Sequence, residues 1–166
     1  MQLTITQQYM TVGAKFDIAE ANNIPCFHAE EKLIALKQQI DLFSLSGELI
    51  YHIQKRYTNV FSRYDISRGE QFIGKFAGRF HFPGTRRIRL TTDKGNFYIY
   101  ADWFRVKVFA VNEKWKREKE AVCRIKKNVL KVADTYYVDF EETKIAPAVA
   151  ASVGLWLEMT FHGRKQ

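Results

Sequence analysis

Apolar and polar residues alternate with a period of two along much of the chain. In residues 49–55, Leu49, Tyr51 and Ile53 share one face, and residues 87–91 and 105–108 repeat this alternation. Such a period is typical of β-strands with one buried face. Turn-forming sequences separate the runs at Asn22-Asn23, Ser46-Gly47, Pro83-Gly84 and Asp93-Lys94-Gly95-Asn96. Short, regularly spaced strands without intervening helical patterns predict a mainly β fold, either a sandwich or a barrel.

An internal repeat sharpens this prediction. Residues 48–66 align without a gap to residues 120–138, and the apolar face keeps its phase throughout. The identical pairs are Glu48/Glu120, Ile53/Ile125, Lys55/Lys127, Val60/Val132 and Tyr64/Tyr136. We interpret the two segments as copies of one strand–turn–strand unit. Two similar half-sheets that pair edge to edge would close a barrel and remove exposed strand edges.

Residues 71–82 place large rings and glycines on a single predicted face. That face carries Phe72, Gly74, Phe76, Gly78, Phe80 and Phe82. Glycine weakens a strand interior unless another group must approach the backbone closely. The pattern therefore predicts a strand that curves around an inserted element. Residues 97–103 are aromatic and β-branched, which predicts a strand that is buried on both faces.

The inserted element is predicted to be a helix over residues 145–161, a run that is apolar on every side. Pro147 suits a first helical turn, Thr143 is placed to cap the start, and Gly163 is placed to cap the end. Glu158 would be costly in lipid, and the run is shorter than the roughly 20 residues that a bilayer requires. We therefore expect a buried core helix and no transmembrane span.

These segments resemble the LURP-one-related family, a branch of the tubby C-terminal-like superfamily that includes phospholipid scramblases. The resemblance covers most of the chain from about residue 14 and is carried by residues 40–57, 62–66, 95–100, 121–127, 134–139 and the helix from Ala148. It implies a single domain over residues 1–166, built as a closed antiparallel barrel of about twelve strands around the buried C-terminal helix.

This sequence departs from the family pattern at two places. Members often have Gly-Asp after the strand that matches residues 97–100, where this chain has Ala101-Asp102-Trp103, and an aspartate late in the helix, where Glu158 stands. The resemblance implies little about activity, because a fold does not supply a function. It does favour lipid as a ligand class, since tubby proteins bind phosphoinositide headgroups and scramblases act on lipid.

The net charge of +8 lies almost entirely in the second half, since residues 1–83 carry a net charge of +1 and residues 84–166 carry +7. Such one-sided charge attracts phosphate-bearing partners. The two cysteines, Cys26 and Cys123, lack CxxC spacing, and the N-terminus resembles no secretion signal. We expect free thiols and a cytoplasmic protein that associates peripherally with a membrane.

No sequence pattern specifies a reaction. The four histidines lie on different segments without metal-ligand spacing, and no nucleophile elbow or phosphate-binding glycine loop is present in the sequence. We therefore predict a non-enzymatic protein with no catalytic residues, no bound metal and no cofactor.

Two basic segments are the candidate sites for anionic phospholipid. One comprises Arg86, Arg87 and Arg89, at the start of a strand; the other comprises Lys114, Trp115, Lys116 and Arg117, which combine cations with an indole ring. A protein-interaction scaffold is the alternative function. Nucleic acid is a further one, for which Tyr98 and Tyr100 would have to be exposed for base stacking.

Overall fold

The computed structural model describes residues 1–8, 13–34, 37–56, 62–80, 86–92, 95–101, 105–110, 121–128 and 134–162. These residues form twelve β-strands and one α-helix. The strands are β1 Gln2–Gln8, β2 Lys15–Glu20, β3 Pro25–Ile34, β4 Lys37–Ser44, β5 Leu49–Arg56, β6 Ser62–Arg68, β7 Gln71–Phe80, β8 Arg86–Thr92, β9 Gly95–Ala101, β10 Arg105–Ala110, β11 Cys123–Asn128 and β12 Thr135–Phe140. The helix, α1, spans Pro147–Leu157 and continues into a π-helical turn over Glu158–His162.

Every strand pairs antiparallel with its neighbours in sequence, and β1 pairs with both β2 and β12, so the pairing order forms a closed barrel. Ile5 of β1, for example, lies opposite Ile18 on one side and Tyr136 on the other. Since successive strands run in opposite directions, their connections alternate between two ends of the ring. We call the end where Pro147 begins α1 the proximal end, and the end that holds Glu158 the distal end.

The helix forms the centre of the core. All residues from Val149 to Leu157 are buried, and the ring of Trp156 stacks on Phe76 at 5.2 Å and meets Tyr64 edge-on at 6.5 Å. Small residues let the sheet approach the helix, because a Cβ added at Gly154 would come within 2.5 Å of the Ile5 side chain. The predictions of a mainly β chain and of a buried C-terminal helix are therefore confirmed.

The helix begins two residues later than predicted. The α-helix spans residues 147–157, and the helical chain continues as a π-helical turn to His162, one residue beyond the predicted end. The predicted cap was also wrong: the N-cap is Ala146, which makes no side-chain hydrogen bond, and Thr143 lies too early in the chain. Pro147 does occupy the first turn, as expected. Gly163 lies outside the described residues.

Two predictions about strand faces were also wrong. The pairing of β6 with β7 shifts register between Ile66 and Ser67, which places Ile73 in the core and leaves Phe72 54% exposed. In β9 only the alternate residues are buried, so Tyr98 and Tyr100 are half-buried on the outer face. Trp103, the end of that predicted strand, lies outside the described residues.

Candidate functional site: a basic wall of five strands

Positive charge is concentrated in five consecutive strands, β7 to β11. Their sequences contain ten lysines and arginines and no aspartate or glutamate, whereas the other seven strands contain seven basic and seven acidic residues. The ten are Lys75, Arg79, Arg86, Arg87, Arg89, Arg105, Lys107, Arg124, Lys126 and Lys127. Because β7 to β11 are neighbours in the ring, these residues lie on one side of the molecule, although Lys127 is almost buried and pairs with Asp134. We call these five strands the basic wall.

Strand register brings the wall residues into rows. One row crosses all five strands and consists of Arg79, Arg87, Tyr100, Lys107 and Arg124, each opposite the next. A second row contains Ala77, Arg89, Tyr98 and Phe109. Neighbouring strands lie roughly 5 Å apart, which is less than the Debye length of roughly 8 Å at physiological salt. The fields of adjacent cations therefore add.

The three arginines of the first predicted cluster do not all have the same strand phase. All three lie in β8, but Arg87 shares its strand phase with Arg89, whereas Arg86 has the phase of the buried Ile88. Arg89 is exposed and lies opposite Tyr98. The second predicted cluster, Lys114, Trp115, Lys116 and Arg117, lies outside the described residues.

Arg86 begins β8 at the distal end of the wall, and Arg89 lies three residues further along the same strand. The candidate binding residues identified from the sequence did not include Lys107, Arg124 and Lys126. The absence of acidic residues from five successive strands was the signal that could have found them.

A second polar cluster lies on the outer face of β3, β4 and β5. Asp41 is only 1% exposed and forms an ion pair with Lys32 at 2.7 Å. It also accepts hydrogen bonds from His52 Nδ1 at 2.5 Å and from Gln39 at 2.6 Å. Burial opposes ionisation, but the hydrogen bonds from these three side chains hold the pKa of Asp41 below its ordinary value. The buried carboxylate of Asp41 therefore has hydrogen-bond partners that balance its charge, and the side chains that donate to it are not available to bind a ligand.

Buried titratable groups also meet at the distal end. Tyr136 donates a hydrogen bond to Glu158, and Lys127, whose side chain is 7% exposed, pairs with Asp134 at 2.8 Å. Burial raises the pKa of Glu158, an effect that the hydrogen bond from Tyr136 only partly offsets. Burial also raises the pKa of Tyr136.

The repeated sequence corresponds to two equivalent hairpins. In β5–β6 Lys55 lies opposite Tyr64, and in β11–β12 Lys127 lies opposite Tyr136, so each hairpin has the same Lys–Tyr pair at the same end of the ring. The two tyrosines differ in their contact with the helix, since Tyr64 meets Trp156 and Tyr136 bonds to Glu158.

The described part of the chain contains no group of three or more histidine, cysteine or acidic side chains placed to hold a metal ion. Cys26 and Cys123 are free thiols. Burial raises the pKa of Cys26 to about 11 and that of Cys123 to about 12, which makes both thiols poor nucleophiles.

A comparison with models of protein families identifies the family of this chain. The model of the LURP-one-related family matches residues 1–156, nearly the whole chain. This chain belongs to the LURP-one-related family. The match confirms the resemblance that the sequence segments indicated.

A solved structure shares the fold of this LURP-one-related chain. An X-ray structure of a protein from Arabidopsis thaliana aligns with a TM-score of 0.61 at 13% sequence identity, covering 95% of this chain and 90% of that one. At this identity the likeness concerns the fold alone. A search of the curated proteins finds no match. None of the helices among the described residues has the length and apolar character needed to cross a bilayer.

Proposed function

We propose that this LURP-one-related protein is a non-enzymatic domain that binds the anionic surface of a phospholipid bilayer through its basic wall. The single observation that carries the proposal is the segregation of charge, ten basic and no acidic residues in β7–β11 against seven of each elsewhere in the strands. Such asymmetry orients a protein in the field of a negative surface. The two free thiols suit a reducing, cytoplasmic compartment.

The expected affinity is modest. A basic residue near an anionic leaflet contributes about 1 kcal/mol. If four wall cations reach the surface together, they supply about 4 kcal/mol, which corresponds to roughly millimolar affinity. Binding should therefore be reversible, steeply dependent on salt, and dependent on the fraction of anionic lipid.

Vesicle sedimentation tests the proposal with neutral phosphatidylcholine vesicles and with vesicles that also contain phosphatidylserine. We expect binding only to the second, and loss of that binding at high salt. Changing Arg89, Lys107 and Lys126 to Glu should weaken it by roughly tenfold or more. The matched control, with the same change in net charge, alters Lys15, Arg56 and Lys144 to Glu, none of which lies in the wall or in a strand that pairs with it, and should bind nearly as well as wild type.

The outcome that contradicts the proposal is equal weakening in both triple variants, because the total charge and not the wall would then be responsible. Binding to neutral vesicles alone would contradict it as well.

Nucleic acid is the second candidate ligand, because Tyr98 and Tyr100 lie within the cationic rows of the wall. Aromatic rings beside cations are the arrangement that stacks bases of single strands. A gel-shift titration with single-stranded oligonucleotides separates the two readings. Changing both tyrosines to Ser should abolish base stacking but leave vesicle binding largely intact.

A further inference from the structure

The exposed hydrophobic side chains gather at the proximal end. Among the described residues, the three most exposed large hydrophobic side chains are Ile24 at 57%, Leu45 at 61% and Phe72 at 54%. Ile24 lies between β2 and β3, Leu45 lies between β4 and β5, and Phe72 follows the turn between β6 and β7. Each of three consecutive hairpins therefore presents one large apolar residue at the same end of the ring. We call these three residues the hydrophobic tips.

An acidic residue accompanies each tip. Glu20 precedes Ile24 and donates its backbone N–H to the carbonyl of Ile24, Glu48 follows Leu45 in the turn, and Glu70 lies two residues before Phe72. Glu141 and Glu142, just after β12, are exposed at the same end. Near the three tips the described cation is Arg68; Arg124, the Met1 ammonium and Lys144 also lie at this end, beside β11 and β12, and Lys144 pairs with Glu141 at 2.9 Å. Among the described residues, the part of the proximal end that carries the tips is thus both apolar and acidic.

The spacing of the tips matches the rise of an α-helix. Adjacent strands lie roughly 5 Å apart, so tips on consecutive hairpins, two strands apart, lie roughly 10 Å from one another. An α-helix advances roughly 10.5 Å in seven residues. A helix with apolar residues at positions i, i+7 and i+14 would therefore meet the three tips in turn, and cations beside that stripe would face the glutamates.

We propose that the hydrophobic tips form a docking surface for a basic amphipathic helical segment of another protein. The observations favour a protein over a bilayer because the glutamate beside each tip repels an anionic lipid surface. This surface lies at the proximal ends of β2–β7 and meets the basic wall only at Phe72 in β7, and the proposal does not depend on lipid binding. It makes the domain an adaptor, with one face for an anionic surface and another for a cationic protein segment.

The test uses three synthetic 18-residue helical peptides and fluorescence anisotropy. The first carries Leu at i, i+7 and i+14 flanked by Lys; the second replaces Lys with Glu; the third replaces Leu with Ser. We expect only the Lys/Leu peptide to bind. The variant Ile24→Ser/Leu45→Ser/Phe72→Ser should weaken that binding by roughly tenfold or more, since each tip loses an apolar contact. Gln71→Ser, an exposed polar neighbour of Phe72, is the matched control and should leave it unchanged.

A second variant tests the charge component. Glu20→Gln/Glu48→Gln/Glu70→Gln should weaken binding of the Lys/Leu peptide and flatten its salt dependence. Circular dichroism verifies that all variants remain folded. Absence of binding by the Lys/Leu peptide, equal binding of the Glu peptide, or binding that is insensitive to loss of the tips each overturns the proposal. So does binding to phosphatidylcholine vesicles that the tip variant loses, because the tips would then belong to a bilayer contact.

Discussion

At the scale of single residues, the most unusual environment is that of Glu158. This carboxyl group lies at the end of α1, is 7% exposed, and accepts a hydrogen bond from the buried Tyr136. Its desolvation raises its pKa, and the nearby carboxylate of Asp134 acts in the same direction, while Lys127 opposes it. The folded protein therefore favours the protonated form of Glu158, and Glu31 adds to this preference.

The pH dependence of stability follows from this shift. A carboxyl with a higher pKa in the folded than in the unfolded protein stabilises the fold fully below its ordinary pKa of 4.5, and this contribution is lost as the pH rises from there through the folded pKa. Glu158→Gln stays neutral at every pH. We therefore expect wild type to lose stability relative to Glu158→Gln as pH increases above about 4.5.

Urea unfolding at several pH values measures this difference. Glu142→Gln, at an exposed position, serves as the control and should show no such trend. A constant difference between wild type and Glu158→Gln across the pH range would refute the assigned ionisation.

Removing the donor isolates the hydrogen bond itself. Tyr136→Phe keeps the ring but leaves the Glu158 carboxyl without its bond, which should cost about 1–3 kcal/mol in the free energy of unfolding. In a Glu158→Leu background, which has no carboxyl to satisfy, the same change should cost much less. Equal costs in both backgrounds would show that the bond does not stabilise the protein.

At the scale of elements, the close approach of β7 to β8 depends on one glycine. A Cβ added at Gly74 would lie 1.9 Å from the backbone carbonyl oxygen of Thr91. The sequence pattern predicted a close approach to this strand by an inserted element, but at Gly74 the close neighbour is the adjacent strand β8. Gly154 in α1 differs, because the one overly close contact of its added Cβ would be the Cδ1 atom at the tip of Ile5, at 2.5 Å.

These two glycines predict contrasting effects of substitution by alanine. Gly74→Ala should destabilise the protein by more than about 3 kcal/mol, since the obstacle is backbone and relief would break the β7–β8 ladder. Gly154→Ala should cost far less, because the Ile5 side chain can rotate and alanine gains about 1 kcal/mol of helix propensity. Thermal and denaturant unfolding of the two variants, compared side by side, would contradict this reasoning if the order were reversed.

At the scale of the whole molecule, helix and strands share one core. Trp156 lies between Phe76 of β7 and Tyr64 of β6, and Gly154 packs against Ile5 of β1, so α1 contacts distant parts of the ring. Neither the helix nor the sheet can bury its apolar face without the other. Such a core should unfold as a single cooperative unit.

Coincident unfolding of two probes would demonstrate this cooperativity. In a protein with Trp103→Phe and Trp115→Phe, fluorescence reports Trp156 alone and far-ultraviolet circular dichroism reports the strands. We expect both signals to share one denaturant midpoint, and Trp156→Ala to lower the circular dichroism midpoint by the equivalent of about 3–5 kcal/mol. A fluorescence change that precedes the loss of strand signal would show that the helix leaves the sheet independently.

Local sequence patterns were sufficient to predict some features of this protein. Alternation in Leu49, Tyr51 and Ile53 predicted which face is buried, because side-chain direction in a strand depends only on adjacent residues. The apolar run from Val149 to Leu157 predicted a buried helix for a similarly local reason, and the family followed from the order of these segments.

The tertiary structure decided the features that depend on partner strands. The shifted register beside Ile66 exposes Phe72, and the bond from Tyr136 lies where the α-helix gives way to the π turn at Glu158; neither is visible in the neighbouring sequence. The basic wall unites cations from residues 75 to 127, and the hydrophobic tips unite residues 24 to 72. The spacing of residues along the sequence determines which side chains share a face within one strand. Only pairing between strands brings side chains that are distant in sequence onto one surface.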